Sequence, residues 1–490
     1  MKFREILSLP RGGALVLLIH QGEPIVKHPF FRLSPKADQD YLNLFAAKTF
    51  LAEEGIHRAL TSSGRDLIIL VLPKRGEFNH RKAILAARQI IKFARAERLA
   101  ELIFNFDDFR SPLFVRKEAE LAETLATQMV LADFEFIKYK TPPPAGWHFV
   151  ETIDIFSTDP LKILNSLARG VMIGEEINAA RALANTPGGD MTPAKLAEAA
   201  VAVGKRAKFK VEVLDEPKIK ALKMGGVLGV SKGSAERPRF IVMEYLKGDK
   251  KDRPIVLVGK GITFDTGGLN LKPSEHIYEM HMDMSGGAAV IHAMAALARL
   301  GVKKNFIGLI PAVENMPSGS SYRPGDVLTS MSGKTIKVMD TDAEGRIILA
   351  DALTYAERYK PRLVIDLATL TGAATVALGQ HASALFTPDP QLAGALTDMG
   401  ERSGDYVWPL PLFEEVEGEI KADFADWSNT GKDRYGGALR GATFLRQFIK
   451  NYPWVHLDIA PRMTATDKEF LAKGATGTGV ALLARFLQIF

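Results

Sequence analysis

The run Ile255-Val-Leu-Val258 is wholly apolar and stops at Gly259-Lys260-Gly261. Such a short unbroken apolar run suits a buried strand, and few folds can place one. The surrounding pattern narrows the choice. Apolar runs at 210–214, 240–245, 306–311, 363–367 and 455–459 are expected strands. Helical periodicity over 286–300, 345–358, 442–452 and 477–486 separates them. Strands alternating with helices predict an α/β unit whose central mixed sheet is sandwiched by helices. In such sheets ligands bind beyond the carboxyl ends of the strands.

The 490 residues allow roughly two to four domains. A first α/β domain is expected over 1–156, with strands at 14–19, 67–72, 102–106 and 149–156 and helices at 39–53, 79–96 and 116–131. No catalytic constellation lies there, so packing, assembly or regulation is its expected role. Asp159-Pro160 is a helix-start signal for a connecting helix within 157–186, and 187–490 forms the second, catalytic domain.

Composition excludes several functions. With no cysteine there is no disulfide framework, thiolate zinc site or cysteine nucleophile. A net charge of +6, from 63 basic and 57 acidic residues, does not argue for nucleic acid. The basic runs at 205–210 and 247–253 lack the aromatic interleaving of a stacking platform, so solvated loops are the simpler reading. No segment has the features of a signal peptide or membrane span, and a cytoplasmic location is expected.

Chemistry-bearing residues gather on glycine-punctuated segments. Lys260, Asp265 and Lys272 follow the strand at 255–258. Asp283 precedes Gly286-Gly287 and a helix, and Asp340-Thr-Asp-Ala-Glu-Gly-Arg346 leads into another. Any one of these acids could simply cap a helix. If Asp265, Asp283, Asp342 and Glu344 converge, however, they would repel one another, and two divalent cations would balance them. Two such ions can share and activate a water, leaving Lys272 and Arg346 to stabilise an oxyanion or hold an anion.

Other motif readings fail. Asp265-Thr-Gly267 has no second copy to make an aspartic protease pair. Gly259-Lys260-Gly261 lacks P-loop spacing, and 474–479 lacks the dinucleotide fingerprint's order and preceding strand. His-Glu-x-x-His does not occur, and His276 and His281 have no clear ligand spacing.

The segments 259–268 with Lys272, Asp283-Met-Ser-Gly286, 340–346, Asp366-Leu-Ala-Thr-Leu-Thr-Gly372, Asn185-Thr-Pro187 and His456-Leu-Asp-Ile-Ala460 together resemble the leucyl (cytosol) aminopeptidase family of dinuclear metallopeptidases. The resemblance runs from about Leu164 to the C-terminus. It implies that Asp265 and Glu344 bridge two metals, that Asp342 completes one site, and that Lys260 and Asp283 complete the other. It further implies that Lys272 polarises the scissile carbonyl. Arg346, with backbone near Leu370, would hold a bicarbonate that takes a proton from water. Met280, Thr369, Gly372, Ala460 and Met463 would line the pocket for the first side chain. The implied protein is a homohexamer that releases leucine and other large apolar residues from short peptides. Mn or Zn are the favoured metals, with Mg or Co as alternatives. A catalytically inactive scaffold or nucleic-acid-binding homologue is the second reading.

A lysine ligand must be neutral, which costs about 4.6 kcal/mol at pH 7 from a pKa of about 10.4, so Lys260 is expected to ligate only with metal bound. Three departures from the family pattern stand out: Asp340 for Asn, Thr266 for Ser and Pro461 for Gly. None removes a ligand or a catalytic cation.

Overall fold

The computed structural model describes residues 1–10, 12–47, 54–110, 118–156 and 163–490. The chain divides into two compact units: residues 1–175 with 466–472, and residues 176–465 with 473–490. Several expected elements run partly outside the described residues: the helix end at 48–53, the helix start at 116–117 and the Asp159-Pro160 signal.

The first unit holds a six-stranded sheet of β1 (Lys2–Ile6), β2 (Ala14–His20), β3 (Gly55–Leu60), β4 (Asp66–Leu72), β5 (Glu101–Asn105) and β6 (Thr152–Phe156). Their order is β1-β6-β5-β2-β4-β3, parallel except for β3. Val16 and Leu18 enter one core with helices His80–Ala96 and Glu118–Ala132, while Leu15, Leu17 and Ile19 enter another with Phe30 and Phe31. Side chains alternate across a strand, so an all-apolar run is what a sheet covered on both faces requires. The edge strands β1 and β3 carry no clear apolar run because their residues are half-exposed and mixed in polarity.

The second unit carries β7 (Lys210–Leu214), β8 (Arg239–Leu246), β9 (Ile255–Gly259), β10 (Gly261–Asp265), β11 (Asn305–Asn315), β12 (Val327–Thr329), β13 (Thr335–Lys337), β14 (Leu363–Ala368), β15 (Ser383–Phe386), β16 (Val407–Pro409), β17 (Trp427–Ser428) and β18 (Trp454–Asp458). The main sheet runs β16-β15-β18-β14-β9-β11-β8-β7, with β10 added to β11; β12, β13 and β17 form a small separate sheet. β18, β14, β9 and β11 are mutually parallel, so their carboxyl ends line up along one edge. Helices Ser285–Arg299 and Val480–Ile489 pack together, as do Gly345–Ala356 and Gly437–Arg446, giving the expected helix-covered mixed sheet.

One local difference matters for the site. The glycine-punctuated loop expected after β9 is a second strand, β10, paired in parallel with β11 up to Asp265–Asn315. Gly259 and Gly261 serve close packing there: an added Cβ would lie 2.5 Å from the Gly286 carbonyl oxygen and 2.7 Å from the Ile310 side chain, respectively. Gly267 and Gly268, with φ of 86° and 67°, are the positions that need left-handed backbone.

Candidate metal centre

The carboxyl ends of these strands deliver the charged groups. Lys260 follows β9, Asp265 ends β10, Asn315 ends β11, Thr369 follows β14 and Asp458 ends β18. Asp283 follows the short turn Met280–Met282, which packs on β10, and Glu344 stands at the head of helix Gly345–Ala356. Ligand atoms of Asp265, Asp342 and Glu344 lie within 4.8 Å of one another. Asp283 joins them through Lys260, whose Nζ is 2.8 Å from Asp283 Oδ2 and 2.9 Å from Glu344 Oε1.

Helix capping does not account for these acids. The cap position before helix Ser285–Arg299 is Met284, and no side chain caps either this helix or Gly345–Ala356. Asp283 Oδ1 instead accepts a 2.6 Å hydrogen bond from Thr369 Oγ1.

The two lysines occupy different parts of the cluster. Lys260 also donates to the Thr369 carbonyl at 2.9 Å and is 4% exposed. Lys272 Nζ lies 2.8 Å from Asp265 Oδ2, pairs with Asp342 and is 13% exposed. Burial disfavours both ammonium groups, yet the surrounding carboxylates hold both above the usual lysine range. Burial and mutual repulsion push Asp342 up to about 7 and raise Asp283 and Glu344 as well, despite the lysines. Gly345 makes room for Lys260: an added Cβ would sit 2.5 Å from its Cε.

This donor set fits divalent cations. It is oxygen-rich and mostly buried, and Glu344 Oε2 is a buried oxygen that makes no hydrogen bond. Asp265, Asp342 and Glu344 are the group that would hold metal, with Asp283 and Lys260 adjoining.

Arg346 is the second residue of the helix that Glu344 heads. Its Nη1 donates to the Asn429 carbonyl at 2.8 Å, its buried Nε has no hydrogen-bond partner, and burial lowers its pKa. Leu370 and Arg346 both border Gly441, but the Leu370 amide donates to Asp458 Oδ1 at 3.1 Å.

The expected pocket residues fall on neighbouring segments. Thr369 touches the cluster directly. Gly372 opens helix Gly372–Leu378, which packs on the turn Ala460–Arg462, and the Met463 amide donates to the Ala460 carbonyl at 3.3 Å. Met280 starts the turn leading to Asp283.

Asp340 Oδ1 accepts the Asp342 amide at 2.8 Å and thereby shapes the loop. Residues that sequence reasoning passed over hold the acidic loops together. The Asn315 and Tyr322 side chains both donate to the Thr341 carbonyl, at 3.0 and 2.7 Å. Asn429 accepts the Met339 amide at 2.8 Å, and Asp458 gathers the amides of Leu370 and Ala460. A polar residue ending a long apolar strand was the available signal for Asn315 and Asp458. Nothing in the local pattern marks Tyr322 or Asn429.

Residues 178–484 match the model of the cytosol aminopeptidase family, catalytic domain. The chain belongs to this family. Among cytosol aminopeptidase relatives, a probable cytosol aminopeptidase of Aromatoleum aromaticum (strain DSM 19018 / LMG 30748 / EbN1) is 52% identical over 322 residues, 66% of this chain. That match spans 64% of the relative's length. A probable cytosol aminopeptidase of Burkholderia mallei (strain SAVP1) is 48% identical over 357 residues, covering 72% of this chain and 70% of the relative. Among solved structures, the bottromycin maturation enzyme BotP in complex with Mn superposes with a TM-score of 0.85 at 30% identity, covering 98% of this chain and 99% of that one. A second BotP structure gives 0.82 over the same coverage.

Proposed function

We propose that this chain is a metal-dependent aminopeptidase that releases N-terminal residues, leucine and other large apolar ones preferred, from short peptides. The observation that carries the reading is the convergence of Asp265, Asp342 and Glu344 within 4.8 Å in a member of the cytosol aminopeptidase family. Two divalent cations bound there would supply Lewis acidity and an activated water. The manganese named for the BotP complex supports Mn as one occupant.

The protein's own side chains take defined parts. Asp265, Glu344 and Asp342 would hold the cations, with Asp283 and Lys260 completing the donor set. Lys272 is the more open lysine, which supports a role for its Nζ in donating to the scissile carbonyl and its developing oxyanion. The unpartnered Nε of Arg346 fits a bound bicarbonate, which would supply a proton acceptor. Backbone near Leu370, whose own amide donates to Asp458 Oδ1, would help hold that anion. Met280, Ala460 and Met463, with the small Thr369 and Gly372, would accept an apolar first side chain. A homohexameric assembly and a cytoplasmic location belong to the same reading.

The test pairs metal analysis with hydrolysis of a leucyl anilide, with and without chelator. Metal-loaded protein should cleave the anilide, and chelation should abolish cleavage. Fully loaded protein that cleaves neither the anilide nor a leucyl peptide would overturn the proposal.

A further inference from the structure

One buried amide joins two of the segments that carry the acidic cluster. Asn315 is fully buried at the end of β11, opposite Asp265 in the β10–β11 register. Its Nδ2 donates to Asp265 Oδ1 at 2.8 Å and to the Thr341 carbonyl at 3.0 Å. Both partners only accept, so nitrogen must face them; the reversed amide would set oxygen against a carboxylate and a carbonyl. A primary amide donates two hydrogens from one atom. Aspartate offers none and serine one. The Asn315 main-chain carbonyl accepts from the Thr266 amide at 3.0 Å and from Thr266 Oγ1 at 2.7 Å, pinning the residue after Asp265 as well.

The arrangement has a directional consequence. Asp265 Oδ1 receives Asn315 Nδ2 and the Gly267 amide, the latter at 2.9 Å, while Oδ2 receives Lys272. One oxygen is thus tied into the protein and the other faces the cationic side of the cluster. Thr341 lies immediately before Asp342, and its hydroxyl donates to the Gly267 carbonyl at 2.6 Å, so the same contact sets how far apart the two acidic segments stand. The other end of the amide, Asn315 Oδ1, is buried without a hydrogen-bond partner. That is a cost an apolar side chain of similar size would avoid, so the nitrogen is what the position uses.

We propose that Asn315 is a positioning residue for the metal centre: its amide nitrogen orients the Asp265 carboxylate and fixes its spacing from Asp342 and Glu344. The inference rests on the metalloaminopeptidase reading. Groups that orient ligands in this way typically change metal affinity by about 10–100-fold when removed.

The test uses the full chain and Mn, with affinity measured by competition against a fluorescent chelator. Asn315→Leu keeps the branched shape and the number of heavy atoms and removes both donors. It should weaken Mn binding by about 10-fold or more and, at saturating Mn, lower kcat on a leucyl anilide with KM within about twofold. Tyr322→Phe removes the other donor to the Thr341 carbonyl without touching Asp265, so it should keep Mn affinity within about threefold of wild type even where it lowers Tm. Should Asn315→Leu fail to fold, Asn315→Ser, which retains one short donor, should still lose Mn affinity by more than Tyr322→Phe. Mn affinity and kcat at wild-type values in a folded Asn315 variant would overturn the proposal. So would an equal loss of affinity in Tyr322→Phe, which would make the effect one of general loop stability. Wild-type protein that binds no metal would sink the functional reading and this inference together; wild-type protein that is active beside unaffected variants sinks this inference alone.

Discussion

Lys272 and Arg346 are the cations whose proposed roles separate chemistry from metal holding. Lys272→Ala should lower kcat by about 10²–10³-fold, the usual loss when an oxyanion donor is removed, while metal content by elemental analysis stays full. Retention of the wild-type rate would refute the carbonyl-polarising role. Arg346→Ala should flatten the dependence of rate on added bicarbonate; a response identical to wild type would remove the anion from the scheme. Their residue types and the order of their motifs were readable along the chain. That Lys272 pairs with both Asp265 and Asp342, and that the Leu370 amide is spent on Asp458, were not. Both depend on side chains brought together from segments far apart in sequence.

Two helices show how an element depends on buried charged contacts. Helix Gly345–Ala356 begins with a glycine that leaves room for the flexible end of Lys260. Gly345→Ala should therefore lower the Tm of the metal-free protein by several degrees, since pushing Lys260 aside leaves the buried Asp283 and Glu344 carboxylates without their ammonium partner. Mn affinity should fall because Lys260 has left Asp283 and Glu344. Equal Mn affinity in chelator competition would show that the close approach is unimportant. Helix Leu164–Ala184 carries Glu176, fully buried, whose oxygens lie 2.8 Å from His292 Nδ1, 2.7 Å from Arg206 and 2.7 Å from Arg299. Burial would raise Glu176, but the His292 hydrogen bond and the arginines outweigh it and bring it down to about 2 from 4.5. Burial pushes His292 down, so the standing positive charge is that of the arginines. A depressed folded-state pKa stabilises fully above 4.5, and the contribution fades as pH falls through about 2. It amounts to about 3 kcal/mol. Glu176→Gln should lose stability near pH 7 and show a shallower decline in Tm between pH 5 and 2; parallel Tm profiles would contradict this. The helix itself was legible from its periodicity, but its buried polar partners were not.

At the scale of the whole molecule, metal should act as a ligand that stabilises only the folded state. Mn at about 100 times its dissociation constant should add about 2.7 kcal/mol to the stability of the site-bearing unit and raise its Tm accordingly. A Tm unmoved by saturating Mn would show that the acidic cluster does not bind it in the folded chain. Sedimentation should find six copies together if the assembly proposed here is right, and a monomer at micromolar concentration would refute it. Among the described residues no helix is long and apolar enough to cross a membrane. Of the two compact units, the first takes in residues 466–472, which lie far from the rest of it in sequence.

The chain's own order of residues determined the strand and helix alternation, the buried character of β9 and β14, the glycines at 267 and 268 that permit left-handed backbone, and the identity of the acidic groups. These are local properties, governed by periodicity, backbone sterics and side-chain chemistry over a few neighbouring positions. Only the folded arrangement decided that β10 is a strand, that Asp283 turns away from helix capping, and that Asn315 spans two acidic segments. Those outcomes depend on parallel strands aligning their carboxyl ends, where burial removes water and makes each charge and each donor answer to partners distant in the chain.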